Sequence, residues 1–144
     1  MKNLIRILFF FVTVLVSAQD WEDSYVNALK ISDTEEKPIV LVFSGSDWCA
    51  PCIKLERSIW QSEAFKSYAS DNYVLYKADF PRKRANKLVP DLAEQNRILA
   101  EKFNPNGYFP LVLLVNSKEE VLGSTGYAKL TPDQYIARLN SFIK

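Results

Sequence analysis

Two cysteines stand three positions apart in Trp48-Cys49-Ala50-Pro51-Cys52, and the chain has no others. Such a pair can do redox chemistry: one thiolate attacks a disulfide, and the second thiol resolves the mixed disulfide that forms. Other uses of the pair are weaker. A structural disulfide stabilises most when it closes a long loop, and this ring is short. Zinc wants four ligands, and two Cys with no His fall short of any ordinary zinc set. An inert pair of core cysteines remains as the plain alternative. Against it stands the breaker Ser44-Gly45-Ser46-Asp47 just upstream, which puts the pair at a strand end, where function collects. The lack of His also excludes histidine acid–base catalysis and His-ligated metals, and no cofactor site is visible.

The elements that must position the pair follow from hydrophobic periodicity. Ile39 to Phe43 is a β-branched and aromatic run, the pattern of a buried strand. From Cys49 a helical spacing runs through Ile53, Leu55, Ile59, Trp60, Ala64, Phe65 and Tyr68. Cys49 therefore falls where a strand enters a helix. A helix N-terminus offers free N–H groups and partial positive charge, which favour thiolate over thiol. Cys49 is expected to attack and Cys52, one turn in, to resolve. Pro51 suits the first turn, where no N–H is needed, and Trp48 should flank the thiol.

Around this unit, residues 20–31 carry apolar Trp21, Tyr25, Ala28 and Leu29 at helical spacing, with a polar stretch from Ser32 to Lys37 and a turn at Pro38. Residues 72–79 read as a second strand, 80–90 as a basic loop bounded by prolines, and 91–103 as a helix. Asn104-Pro105-Asn106-Gly107 is turn chemistry. Strands follow at 111–115 and 120–123, then a helix capped by Thr131, with Pro132 in its first turn and Tyr135, Ile136, Leu139 and Ile143 as its stripe. A βαβ start gives a parallel pair and a terminal hairpin gives an antiparallel edge. The fold class is therefore α/β, a central mixed sheet of about four strands flanked by helices.

The first residues do not belong to that domain. Lys2 and Arg6 precede the ten-residue apolar run Ile7 to Val16, and small residues at Ser17 and Ala18 end it. This is the layout of a secretory signal peptide, with cleavage expected near Ala18. The alternative is a membrane anchor over residues 4–16, but a spanning helix needs about 20 apolar residues. The expected organisation is a signal peptide over 1–18 and one domain over 19–144, in a periplasmic or secreted protein. Without residues 1–18 the chain has 16 basic and 17 acidic residues, a balance that asks for no nucleic acid. With 48% hydrophobic residues it can bury a core without a staple. Export places the cysteines where disulfides persist.

At this point the chain resembles the thioredoxin family. The resemblance rests on Ile39 to Phe43, the Trp48–Cys52 motif, Phe109-Pro110 before Leu111 to Val115, and Gly126 ahead of the last helix, and spans nearly all of 20–144. Exported thioredoxin-like proteins, and the periplasmic thioredoxin-like domain of transmembrane thiol reductants, are the nearest in pattern. The resemblance implies a thioredoxin-like fold and a cis Phe109–Pro110 bond beside Cys49. It also implies a substrate-binding surface formed by Trp48, Pro51, Phe109 and Pro110. Three departures stand out. Phe43 occupies the position of a buried Asp, and Leu75, in a looser alignment, that of its Lys partner; Asp47, Glu56 or water must then accept the Cys52 proton. Arg57 replaces a helix-kinking proline, so the helix should run straight. Between Cys52 and Pro110 lie 57 residues, more than is usual, and the excess falls at 80–90.

That basic segment should emerge on the Cys49 side, since parallel strands share their C-terminal edge. Arg82, Lys83, Arg84 and Lys87 could line one side of a partner surface, or be simply solvated. The Ala-Pro between the cysteines is close to the Gly-Pro of reducing thioredoxins, favouring a potential toward about −270 mV rather than the −120 mV of strong oxidants. The implied activity is thiol–disulfide exchange with protein substrates, reductase-like, by a monomer fed by a membrane electron donor, with no metal or cofactor. Oxidase or isomerase action is the alternative, as is a peptide-binding module with incidental redox activity.

Overall fold

The computed structural model describes residues 21–143. The expected signal segment over 1–18 and its boundary near Ala18 lie outside the described residues. The elements run α1 (Tyr25–Glu35), β1 (Ile39–Ser44), α2 (Ala50–Leu55), a π-helical turn (Glu56–Trp60), α3 (Glu63–Asn72), β2 (Val74–Asp79), a 3₁₀ turn (Arg84–Asn86), α4 (Pro90–Phe103), β3 (Leu111–Val115), β4 (Val121–Thr125) and α5 (Pro132–Asn140).

The sheet has the order β2-β1-β3-β4. β1 pairs in parallel with β2 from Ile39↔Val74 to Ser44↔Asp79, and antiparallel with β3 from Ile39↔Val115 to Phe43↔Leu111. β4 closes the other side antiparallel to β3. All six residues of β1 are buried, which is why the strand is a continuous apolar run rather than an alternating one. Its alternate side chains feed two layers. Val40 and Val42 join Leu55, Trp60, Phe65 and Leu139 under α2, α3 and α5, while Ile39, Leu41 and Phe43 join Tyr25, Tyr76 and Leu99 under α1 and α4. The four-stranded mixed sheet between helices is the fold class expected from the sequence.

Four local readings need correction. Trp21 is not on the first helix. Its backbone bridges Leu75 at the edge of β2, and its ring meets Trp60 edge-on at 5.9 Å. Helix α1 instead starts after its cap Ser24 and runs on to Glu35, with Asp33, Thr34 and Glu35 exposed and the buried Ser32 donating its hydroxyl to the Lys37 carbonyl at 2.6 Å. The helix after Cys49 does not run straight despite Arg57. It loosens into a π turn at Glu56 and ends by Gln61, and Ser62 caps a new helix by accepting from Phe65 N–H at 3.2 Å. Finally, Leu75 faces the opposite layer from Phe43, since side chains alternate along each strand; the two could never be partners in one cavity.

A polar network ties α4 to the end of β2. The buried Asn96 accepts from the Tyr76 hydroxyl at 2.6 Å and donates to the Asp79 carbonyl at 3.1 Å, while Gln95 donates to the same hydroxyl at 2.6 Å. Burial pushes the Tyr76 phenol up to about 12, so it remains a donor throughout the physiological range. Thr131 caps α5 as expected, and Gln134 completes a capping box with it. Among the described residues no helix is long and apolar enough to cross a membrane.

Candidate active site

Cys49 and Cys52 are joined as a disulfide with Cα atoms 5.2 Å apart. Cys49 is the N-cap of α2, and its sulfur accepts the N–H of Cys52 at 3.3 Å. A helix start leaves such N–H groups without backbone partners, so the sulfur of the capping residue receives one directly. Pro51 lies in the first turn, where its missing N–H costs nothing. Both cysteines are buried, and Trp48, Pro51, Phe109 and Pro110 are half-buried.

The structure brings Trp48, Phe80 and Phe109 together. Trp48 and Phe109 meet edge to face at 5.4 Å, Phe80 meets Phe109 at 5.5 Å, and the Phe109–Pro110 bond is cis. Gly126 packs so close that a Cβ there would stand 3.2 Å from the Pro110 carbonyl oxygen. Trp48 is held from several sides. Its indole N–H donates to the Phe80 carbonyl at 2.7 Å, and the Arg82 guanidinium lies 3.7 Å over its ring. Gly45 lies hard against the indole: a Cβ there would fall 2.3 Å from the ring.

The loop before Cys49 and the loop after β2 are stitched to one another. Phe80 N–H donates to the Ser44 carbonyl at 2.8 Å, continuing the parallel ladder past the strand ends. Asp79 accepts from the Ser46 N–H at 2.9 Å and from its hydroxyl at 2.5 Å. Asp47 accepts from the N–H groups of Arg82 and Lys83 and from the Asn86 amide, each at 2.9 Å. These donors, Arg82 N–H foremost, hold the Asp47 carboxyl below its ordinary range. A depressed carboxylate stabilises the folded latch fully above the ordinary value of 3.8 and loses that effect as pH falls through the lower folded value. The latch is therefore intact at neutral pH and opens only in strong acid. In Asp47→Asn the amide hydrogens of Arg82 and Lys83 should exchange about tenfold faster at neutral pH; unchanged exchange would show that the carboxylate does not hold the loop.

Of the three acceptors weighed for Cys52, Asp47 is thus committed to the loop. Glu56 lies one helical turn beyond Cys52 and pairs with Lys77 at 2.5 Å, a half-buried pair resting against Trp21, whose ring centre is 4.4 Å from the Lys77 nitrogen. Gly45, Asp79 and Phe80 escaped the sequence reading as site residues. Gly45 registered there only as part of a strand breaker, although its partner Trp48 is three positions away, and the partners of Asp79 and Phe80 lie tens of positions away.

Residues 20–117 match the thioredoxin-like family. Over 124 residues the chain is 33% identical to the disulfide bond reductase DsbH of Chlamydia pneumoniae, covering 86% of this chain and 72% of that protein. The solved structure of a DsbH oxidoreductase superposes with a TM-score of 0.82 at 29% identity, covering 99% of this chain and 94% of that one. A thioredoxin from Thermus thermophilus superposes with a TM-score of 0.64 over 86% of each chain at 12% identity, a likeness of fold alone. A family match over most of the length, and a relative sharing 33% of its residues, make this chain a member of the thioredoxin-like family.

Proposed function

We propose that the chain is a thiol–disulfide oxidoreductase that reduces disulfides in protein substrates. The observation that carries this reading is the Cys49 sulfur at the helix start, accepting the Cys52 N–H. In the reduced protein the same sulfur is a thiol or thiolate, and the N–H favours the thiolate. Cys49 thiolate attacks one substrate sulfur, and the other substrate sulfur leaves as thiolate. Cys52, deprotonated, then attacks the Cys49 sulfur and releases the first substrate thiolate. The substrate gains two electrons and two protons, and the protein is left with the Cys49–Cys52 disulfide. Trp48, Pro51, Phe109 and Pro110 form the rim against which the substrate chain lies. Glu56, one helical turn beyond Cys52, takes the Cys52 proton, directly or through water; its own partner is the Lys77 side chain, whereas Asp47 holds the main chain of the loop after β2.

The Ala-Pro spacer favours the reducing direction, as does the name of the DsbH relative. Residues 1–18 direct export and are removed near Ala18, which the N-terminus of protein recovered from outside the cytoplasm checks. In an oxidising compartment a reductant needs an electron supply, for which a membrane thiol reductant is the natural class. The reduction potential of the pair decides direction. A value toward about −270 mV is expected, and one near −120 mV would make the protein an oxidant instead.

A further inference from the structure

Between Phe80 and Leu88 the chain carries Arg82, Lys83, Arg84 and Lys87 and no acidic residue. All four are exposed, and among the described residues none of them forms an ion pair. The carboxylate hydrogen-bonded to this segment, Asp47, points its oxygens at backbone N–H groups and Asn86. A merely solvated charge run would need no fixed shape. This one is fixed: the Asp47 latch and the 3₁₀ turn shape it, and Arg82 is stacked on Trp48, whose ring meets Phe109. Like charges held close together repel one another, and an incoming anion relieves that repulsion.

We propose that this segment is a docking surface for acidic residues flanking the disulfide of a protein substrate, so that the chain selects disulfides set in acidic segments. The inference rests on the thiol–disulfide reading and adds a substrate class to it. A polypeptide fits better than a lipid surface, because it can lie on the aromatic rim and present acidic side chains to the loop at once. Each exposed contact is weak and screened by salt, and several together amount to about a tenfold change in KM.

The test uses reduced protein and two short cysteine peptides, each a mixed disulfide with thionitrobenzoate. They differ only in carrying Glu or Gln around the cysteine. Cys49 thiolate takes the peptide sulfur and thionitrobenzoate leaves; Cys52 then frees the peptide thiol, and the dithiol ends as a disulfide. The Glu peptide should show a KM about tenfold lower than the Gln peptide. That preference should vanish at about 0.5 M salt. It should also vanish in Lys83→Ser/Arg84→Ser/Lys87→Ser, with turnover of the Gln peptide unchanged. Equal KM values in the wild type, or a preference that survives the triple variant, would overturn the inference. Reduction of neither peptide would overturn the reductase reading. The docking surface is then judged on oxidised protein titrated with Cys→Ser versions of the peptides. Glu-peptide binding that the triple variant loses upholds it. No binding, or binding of anionic phospholipid vesicles without preference between the peptides, overturns it.

Discussion

Cys49→Ser should abolish protein-disulfide reduction, lowering the rate of insulin reduction by at least about 10³-fold, because a serine hydroxyl at neutral pH is no substitute for a thiolate. Cys52→Ser should fail differently. It keeps the attacking sulfur and loses the resolving one, so it should accumulate a mixed disulfide with substrate that survives non-reducing electrophoresis. In the structure Cys49 caps the helix and its sulfur receives an N–H, while Cys52 lies within α2 and supplies that N–H. That asymmetry is what separates the two outcomes. If Cys52→Ser were the variant without any covalent adduct and Cys49→Ser the one that traps, the roles would be reversed. Glu56→Gln refines the picture: it leaves the first attack untouched and should lengthen the life of the mixed disulfide, most strongly below neutral pH, where Cys52 most needs an acceptor.

Gly45→Ala should disable the site without touching a sulfur. The new methyl would stand 2.3 Å from the Trp48 ring, and the ring cannot yield freely. It is hydrogen-bonded to the Phe80 carbonyl, stacked under Arg82 and edge-on to Phe109. Overpacking of this kind costs about 1–3 kcal/mol. Loss of the indole hydrogen bond and the cation–π contact adds about 1–2 kcal/mol more. The sum is a large share of the roughly 5–15 kcal/mol by which domains are stable. The expected result is a lower urea midpoint together with a shifted Trp48 indole N–H resonance and a raised KM for protein substrates. An alanine variant with an unmoved resonance and wild-type stability would mean that the loop adjusts around the methyl.

The order of elements was legible in the sequence because each one carries its own periodicity: the apolar run of β1, the stripe of α5, the Thr131 cap. The dithiol and the Phe109-Pro110 step were legible because they are contiguous motifs. What escaped was of two kinds. The break between α2 and α3 has a local sign, Ser62 followed by Glu63 ahead of Phe65, a helix-start pattern hidden inside a longer apolar stripe. Beyond Gly45, the environment of Trp48 has no local sign. Its neighbours come from positions 45, 80, 82 and 109, and the bonds that join the two loops link residues 32 to 39 positions apart. The reading of Leu75 failed because an alignment sets positions side by side without saying which face each presents.

The Asp47 latch has a further consequence for how this protein can vary. Two of its three hydrogen bonds end on main-chain N–H groups, at Arg82 and Lys83. A main-chain donor is present whatever the side chain, proline excepted. Positions 83, 84 and 87 can therefore exchange one charge for another, or lose it, while the segment keeps its shape and Trp48 keeps its Phe80 anchor. Shape and charge are separately heritable here: descendants of one sequence could change their clientele by substitutions in this stretch alone, with the dithiol machinery left unaltered.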